Sequence, residues 1–236
     1  MSCKIPENIK LCSEEDLGKE FIERVIGKTP TYVCVIGNTE TAKIPGVSAA
    51  GANPDITDTT PAADMELLHY GRCKCIEGVP VTPTGVPTPG IITMSATKMS
   101  KMPIFVMNAG VKVKPHVPYF ELDGSPGEDI RTGKAVKNAE RTFDRAVLAG
   151  KALAKISNYL VIGESIAGGT TTAYGVLTAL GYDAKGKISS SMIDNPAALK
   201  ENIVQEGLRN CGLSESILKK DPMMAVEALG DPMIVA

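Results

Sequence analysis

The chain has 236 residues, of which 43% are hydrophobic and 22% charged, with a formal net charge of −2. That length accommodates a hydrophobic core without disulfide or metal staples, and near neutrality excludes the basic footprint of a general nucleic-acid binder. Aromatic residues make up 4% and tryptophan is absent, which argues against base-stacking platforms.

No apolar run reaches the roughly 20 residues that span a bilayer. The first 15 residues mix Lys, Glu and Pro around no apolar signal-peptide core. The expectation is therefore a cytoplasmic protein without membrane contact. Six cysteines (Cys3, Cys12, Cys34, Cys73, Cys75 and Cys211) fit that location as reduced thiols. Cys73 and Cys75 form the only close pair, and His69 and His116 are the only histidines. Zinc sites usually need two such knuckles, so no metal site is expected. The pair reads instead as a strand with small buried side chains.

Along the chain, short β-rich runs alternate with longer helical ones. Residues 13–26 read as a helix, with Ser13 as N-cap ahead of Glu14, Glu15 and Asp16, and Gly27 as the stop. The β-branched run Thr31 to Gly37 predicts a buried strand. Residues 38–61, rich in Gly, Pro and Thr, resist assignment, and loops of that length are usually functional or disordered. A short helix is expected over 64–70. Four prolines between residues 79 and 89 impose extended or turning backbone, and a helix can follow over 91–98. Ile104 to Met107 predicts another buried strand. Ala139, Phe143, Ala146, Val147, Gly150, Leu153 and Ala154 give the segment 133–157 one apolar helical face. Leu160 to Gly163 is a short strand after it.

That strand leads into Gly163-Glu164-Ser165-Ile166-Ala167-Gly168-Gly169-Thr170-Thr171-Thr172, ahead of a helix over 172–180. Strand, Gly/Thr-rich turn and helix is an arrangement that holds phosphate, because glycines admit an anion close to backbone N–H groups at the helix start. Three hydroxyls supply further donors. The segment is neither a Walker loop nor G-x-G-x-x-G, and the same pattern also serves as a tight structural turn. Further on, residues 187–191 read as a strand. Asn195-Pro196 and Asp221-Pro222 read as two helix starts, closed by Gly212 and Gly230. The alternation implies an α/β fold: a mostly parallel sheet flanked by helices, Rossmann-like and three-layered, with ligands at the C-terminal ends of strands. A small helical segment over residues 1–30 would precede a nucleotide-binding domain over 31–236.

The segment Gly163 to Thr171 resembles the Gly-Glu-x-x-x-Gly-x-Thr-Thr signature of the nicotinate-nucleotide–dimethylbenzimidazole phosphoribosyltransferases, in particular their archaeal-type branch. Cys34 to Thr41, Thr60 to Asp64, Gly85 to Pro89, Asn108 to Val111 and Gly133 to Ala135 also match in order. The bacterial signature departs from this one, with an extra Gly where Ile166 stands and Asn where Gly169 stands. Family members also continue well past Ala236, adding strands and a glutamate regarded as the general base. That residue has no counterpart here.

The resemblance implies transfer of ribose 5-phosphate from nicotinate mononucleotide to a benzimidazole-type base, giving the α-N-glycoside of the cobamide lower ligand. The cationic nicotinate nitrogen is already a good leaving group, so neither metal nor cofactor is required, and a homodimer or larger assembly is implied. Gly163, Gly168, Gly169, Thr170, Thr171 and Thr172 become candidates for holding phosphate and ribose. Glu164 is the candidate catalytic residue, with a turn-capping carboxylate as its alternative. Thr93 and Ser95 fall where the family lines its base pocket. Lys200 reads better as a solvated lysine on a helix face than as a phosphate ligand, and Asp64 and Glu66 read equally as surface charges or as ligands. Three roles are compatible with this: an active transferase, a truncated nucleotide-binding domain without catalysis, and one half of a split enzyme.

Overall fold

The structure, a computed structural model, describes residues 5–7, 9–51, 53–190, 192 and 194–236. Cys3 and Ser191 lie outside the described residues. The strands are β1 (Thr31–Gly37), β2 (Ile104–Gly110), β3 (Phe120–Glu121) and β4 (Leu160–Ser165). The helices are α1 (Glu15–Val25), α2 (Pro54–Thr57), α3 (Thr60–Tyr70), α4 (Gly90–Ser100), α5 (Ala139–Leu153), α6 (Gly169–Ala179), α7 (Ala197–Asn210), α8 (Glu215–Leu218), α9 (Pro222–Leu229) and α10 (Pro232–Val235). Two 3-10 turns, Glu40–Lys43 and Ile130–Thr132, lie between them.

All strand pairs are parallel, in the order β3-β2-β1-β4. Every residue of β1 is buried, which is why it reads as an unbroken β-branched run rather than an alternating one. Its even-numbered side chains Tyr32, Cys34 and Ile36 pack with Val106 beneath Met65 and Leu68 of α3 and Met94 of α4. The odd-numbered Val33 and Val35 pack with Met107 against Ala146, Ala149 and Leu153 of α5 and Met233 of α10. These two faces make three layers, as expected. Burial of a side chain such as Ile36 contributes about 1.5–3 kcal/mol. A third apolar cluster joins α6, α7 and α9 to Ile130 and Val136.

The order of the strands sets the place of the site. From β1 the chain crosses over α3 and α4 to β2 and then β3, on one side of β1. It then passes through α5 on the opposite face and enters β4, on the other side of β1. The direction of winding thus reverses between β1 and β4, and crevices for ligands open at such points beyond the carboxyl ends of the strands. Among the described residues β4 pairs with β1 alone, and Ile162 in it is 72% exposed.

Within the stretch 38–61, side-chain bonds tie its ends: Asn38 accepts from the Lys112 amide at 2.8 Å and donates to the Asp58 carbonyl at 3.3 Å, and Lys43 pairs with Asp58 at 2.8 Å. Val47 to Gly51 within it line the cleft described below. Several local expectations are corrected. Helix α3 begins at Thr60, not residue 64, because Pro61 fits the first turn. Helix α5 begins at Ala139, since Gly133 and the Ile130–Thr132 turn precede it in a different conformation. Residues 187–190 form turn and irregular backbone, not a strand. Asn195 does not cap α7; its side chain donates to the Ile188 carbonyl at 2.7 Å, and Pro196 takes the cap position. Ser13 likewise makes no cap, the cap position of α1 being Glu14. Cys73 lies in irregular backbone and Cys75 in a bend, not in a strand. Asp221 does cap α9, accepting from the amides of Met223 and Met224.

Candidate functional site

A cleft of about 440 Å³ opens at the winding reversal, bounded by β1, α3, the proline-rich segment before α4, the turn after β4 and residues 189–190. Its size suits a nucleotide-sized ligand. Its two ends differ in chemistry.

One end is the turn from β4 into α6. Gly168 adopts φ +79°, and a Cβ there would stand 3.0 Å from the Ala42 Cα, so the turn packs against the Glu40–Lys43 helix as only glycine allows. Thr171 donates its amide back to the Gly168 carbonyl at 2.9 Å. Among the described residues the amides of Gly169 and Thr170 have no backbone acceptor, as befits the first turn of a helix, whose positive dipole end they form. Gly168, Gly169, Thr170 and Glu164 line the cleft; Gly163, Thr171 and Thr172 do not.

Lys200 completes this end. It is 1% exposed, contrary to the expectation of a solvated helix face. From α7 its Nζ reaches Thr170 Oγ1 and the Ser189 carbonyl, each at 2.9 Å. No carboxylate among the described residues pairs with it, and burial pushes its ammonium below the ordinary lysine value. A buried cation without a counter-charge is costly. Here it adds to the positive potential of the α6 start, and the two together favour an anion.

Among the described residues, Thr171 Oγ1 is buried without a hydrogen-bond partner, as is Thr60 Oγ1 on the cleft wall. Thr172 faces away from the cleft. Its hydroxyl donates to the buried Asp231 carboxylate at 2.5 Å, and Asp231 in turn accepts from the amides of Met233 and Ile234, tying α6 to α10. Burial raises the Asp231 carboxyl against those three donors. Gly163 serves the fold by proximity: a Cβ there would fall 2.2 Å from the Tyr32 hydroxyl, so the tyrosine ring can lie across β4.

The other end is acidic and apolar. Asp64, on α3, is 9% exposed. Its Oδ1 accepts from Thr88 and its Oδ2 from Ser165, both at 2.8 Å. Desolvation raises its carboxyl, opposed by the two hydroxyls. Tyr32, Cys34, Met65, Leu68 and Thr93 surround it in the cleft wall. Burial pushes the Cys34 thiol up to about 12, the Tyr32 hydrogen bond opposing, so the sulfur stays protonated and serves as a small apolar filler. Ser95 points away, its hydroxyl donating to the Ile91 carbonyl at 2.9 Å.

Glu164 lines the cleft where β4 meets its turn, and with Ile162, Gly163 and Met233 it also lines a second cavity on the α5 and α10 side of the sheet. Its Oε2 accepts from the Ile166 amide at 2.9 Å, which is the turn-capping role. Desolvation raises its carboxyl, the Ile166 amide opposes this, and the charges of Asp231 and Asp64 add to the rise. Glu66, by contrast, is a structural carboxylate away from the cleft. It is wholly buried and accepts from the amides of Lys74, Cys75 and His116 and from the His116 ring. Among the described residues no three His, Cys, Asp or Glu side chains are grouped to hold a metal, and no helix is long and apolar enough to cross a membrane.

The fold and site together define a three-layer parallel α/β protein with an anion-favouring cleft at its winding reversal. In sequence, the chain is similar to archaeal proteins named UPF0284 protein. It is 44% identical over 219 residues to one from Methanothermobacter thermautotrophicus, covering 92% of this chain and 61% of that protein. It is 46% identical over 210 residues to one from Methanosarcina mazei, covering 89% and 60%, and 45% identical over 206 residues to one from Archaeoglobus fulgidus, covering 86% and 59%. The chain thus spans about three-fifths of the length of the curated relatives it matches. No family model matches it.

Proposed function

We propose that this chain handles ribose phosphate in a phosphoribosyltransferase that moves ribose 5-phosphate from nicotinate mononucleotide to a benzimidazole-type base. The observation that carries the phosphate half is Lys200, buried without a carboxylate partner among the described residues and bonded to Thr170 at the start of α6. The resemblance of Gly163 to Thr171 to the transferase signature supports the choice of substrate.

In this reading the 5′-phosphate sits on the Gly169 and Thr170 amides and Lys200, and the sugar extends past Glu164 towards Asp64. A ring-nitrogen lone pair of the incoming base forms the new bond to C1′. The bond from C1′ to the nicotinate nitrogen breaks, its electron pair returning to the pyridine ring, which leaves uncharged at nitrogen. The proton on the base's other nitrogen departs, so charge balances, and attack from the opposite face inverts C1′. Catalysis rests on holding the two reactants in line, on Glu164 steadying positive charge developing at C1′, and on transfer of the departing proton to a cleft carboxylate or to water.

The test is incubation of the purified chain with nicotinate mononucleotide and dimethylbenzimidazole, with nicotinate and α-ribazole phosphate followed by chromatography. Product that disappears in Gly168→Val is the expected result; no product at high protein concentration would sink the claim of a complete enzyme. The span of about three-fifths of the relatives favours a second reading, in which the chain binds the nucleotide without turning it over. Binding of nicotinate mononucleotide without product, with turnover in the full-length relative, would establish that reading.

A further inference from the structure

The acidic end of the cleft has a use that the phosphate end does not explain. A carboxylate offers about four acceptor positions, and Asp64 spends one on each oxygen, on Thr88 and Ser165. No cation among the described residues pairs with it. The hydroxyls that hold it come from two separate places, the proline-rich segment and the end of β4, while the aspartate itself stands on α3. Each oxygen therefore keeps acceptor capacity in a fixed direction, and the surrounding Tyr32, Cys34, Met65 and Leu68 exclude water from a flat ring placed beside it. A buried acceptor of this kind penalises any ligand that brings no donor, because its polar atom then goes unpaired.

Resting on the transferase reading above, we propose that Asp64 accepts the ring N–H of the incoming base. It thereby restricts the acceptors to flat rings that carry one protonated nitrogen and one free nitrogen, as benzimidazoles do. The N–H held by Asp64 leaves the unprotonated nitrogen as the one presented to C1′. Thr88 and Ser165 are positioning residues for the carboxylate, and Thr93 contributes wall.

The experiment uses the full chain and calorimetric titration. Benzimidazole and 1-methylbenzimidazole, which lacks the N–H, are each titrated into the wild type and into Asp64→Asn, with nicotinate mononucleotide titrated into the wild type alongside. The wild type is expected to favour benzimidazole by about tenfold or more, the value of a hydrogen bond to a charged group. Asp64→Asn is expected to compress that ratio towards unity. Equal affinity of the wild type for the two bases overturns the proposal without reference to any variant, and so does an unchanged ratio in a folded Asp64→Asn protein. Binding of nicotinate mononucleotide with no binding of either base overturns the role of Asp64 and leaves the phosphate site standing. Failure of all three ligands to bind overturns both.

Discussion

Replacing Lys200 with methionine separates affinity from stability, because the two should move in opposite directions. The buried ammonium has no counter-charge among the described residues, and taking such a charge out of water costs several kcal/mol. Against this stand two hydrogen bonds to neutral oxygens, Thr170 Oγ1 and the Ser189 carbonyl, worth about 1.5–3 kcal/mol each from a charged donor. Both acceptors line the cleft, so water replaces the lost donor, while the methionine side chain fills the path of the lysine stem. Lys200→Met should therefore unfold at the same temperature or higher, by about 2–4 °C for each kcal/mol gained. The affinity for nicotinate mononucleotide should fall about 10- to 150-fold, the loss of one charge-assisted bond to phosphate. The pH dependence gives a further mark. In the wild type the unfolded chain keeps its lysine proton up to the ordinary value of 10.5, whereas the folded chain releases it earlier. Between those two points the unfolded state binds more protons, so this group makes stability rise with pH, and the variant should lose that rise. Calorimetric unfolding from neutral to alkaline pH and titration with the nucleotide read both quantities. A variant that loses about 2 kcal/mol or more of stability yet binds the nucleotide within twofold of wild type would make Lys200 a structural tie and refute the reasoning.

Gly168→Ala should lower both the melting temperature and nucleotide affinity, since the left-handed conformation costs about 1–2 kcal/mol and the new Cβ meets the Ala42 backbone at 3.0 Å. Glu66→Gln should cost about 2 kcal/mol through weaker bonds to the Lys74, Cys75 and His116 amides, seen by urea unfolding at neutral pH. Burial works against Glu66 ionising, but those amides and the His116 ring outweigh it and hold the carboxyl at about 2. Its stabilisation is complete above the ordinary glutamate value and lost as pH falls towards 2, so the variant and wild type should converge in acid. Asp231→Ala should cost about 2–3 kcal/mol, leaving the Thr172 hydroxyl and the α10 amides without their acceptor; an unchanged denaturation midpoint would refute that link. Gly163→Ala should disturb base binding through Tyr32, whose hydroxyl stands 2.2 Å from the added Cβ, and near-UV circular dichroism of the tyrosines reports it.

The legible parts of the sequence were those governed by local rules. Thr31 to Gly37 read as a strand because a central parallel strand, buried on both faces, is continuously apolar. Asp221 read as a cap because its side chain bonds amides two and three residues ahead. Asn195 obeys the same rule on paper, but a tertiary acceptor, the Ile188 carbonyl, takes its amide instead. Lys200 gives no local sign of its burial, which comes from the α6 start and residues 181–190 folding over α7, and no pattern within α7 announces that. Asp64 carried a usable signal. It and Glu66 lie in the run Thr60–Tyr70 among residues that are apolar on every side of the helix, so a solvated face for them was hard to find. The turn-capping bond of Glu164 is local and was legible as one of two roles for that residue, whereas the Ser165 contact with Asp64 depends on β4 lying beside β1, a neighbour relation that alternation alone leaves open.

That neighbour relation has a mechanical side. Ser165, which bonds Asp64 in the cleft wall, rides on a strand latched along one side only, because among the described residues β4 pairs with β1 and nothing else. A strand held this way breathes more readily than a doubly latched one. A strand-like neighbour settling along the open side would stiffen the floor on which Ser165 positions Asp64. By reciprocity, a ligand gripped by that floor would strengthen the hold of the neighbour by the same factor. A ligand held on that floor would then be gripped the more tightly the more firmly the edge of the sheet is clasped.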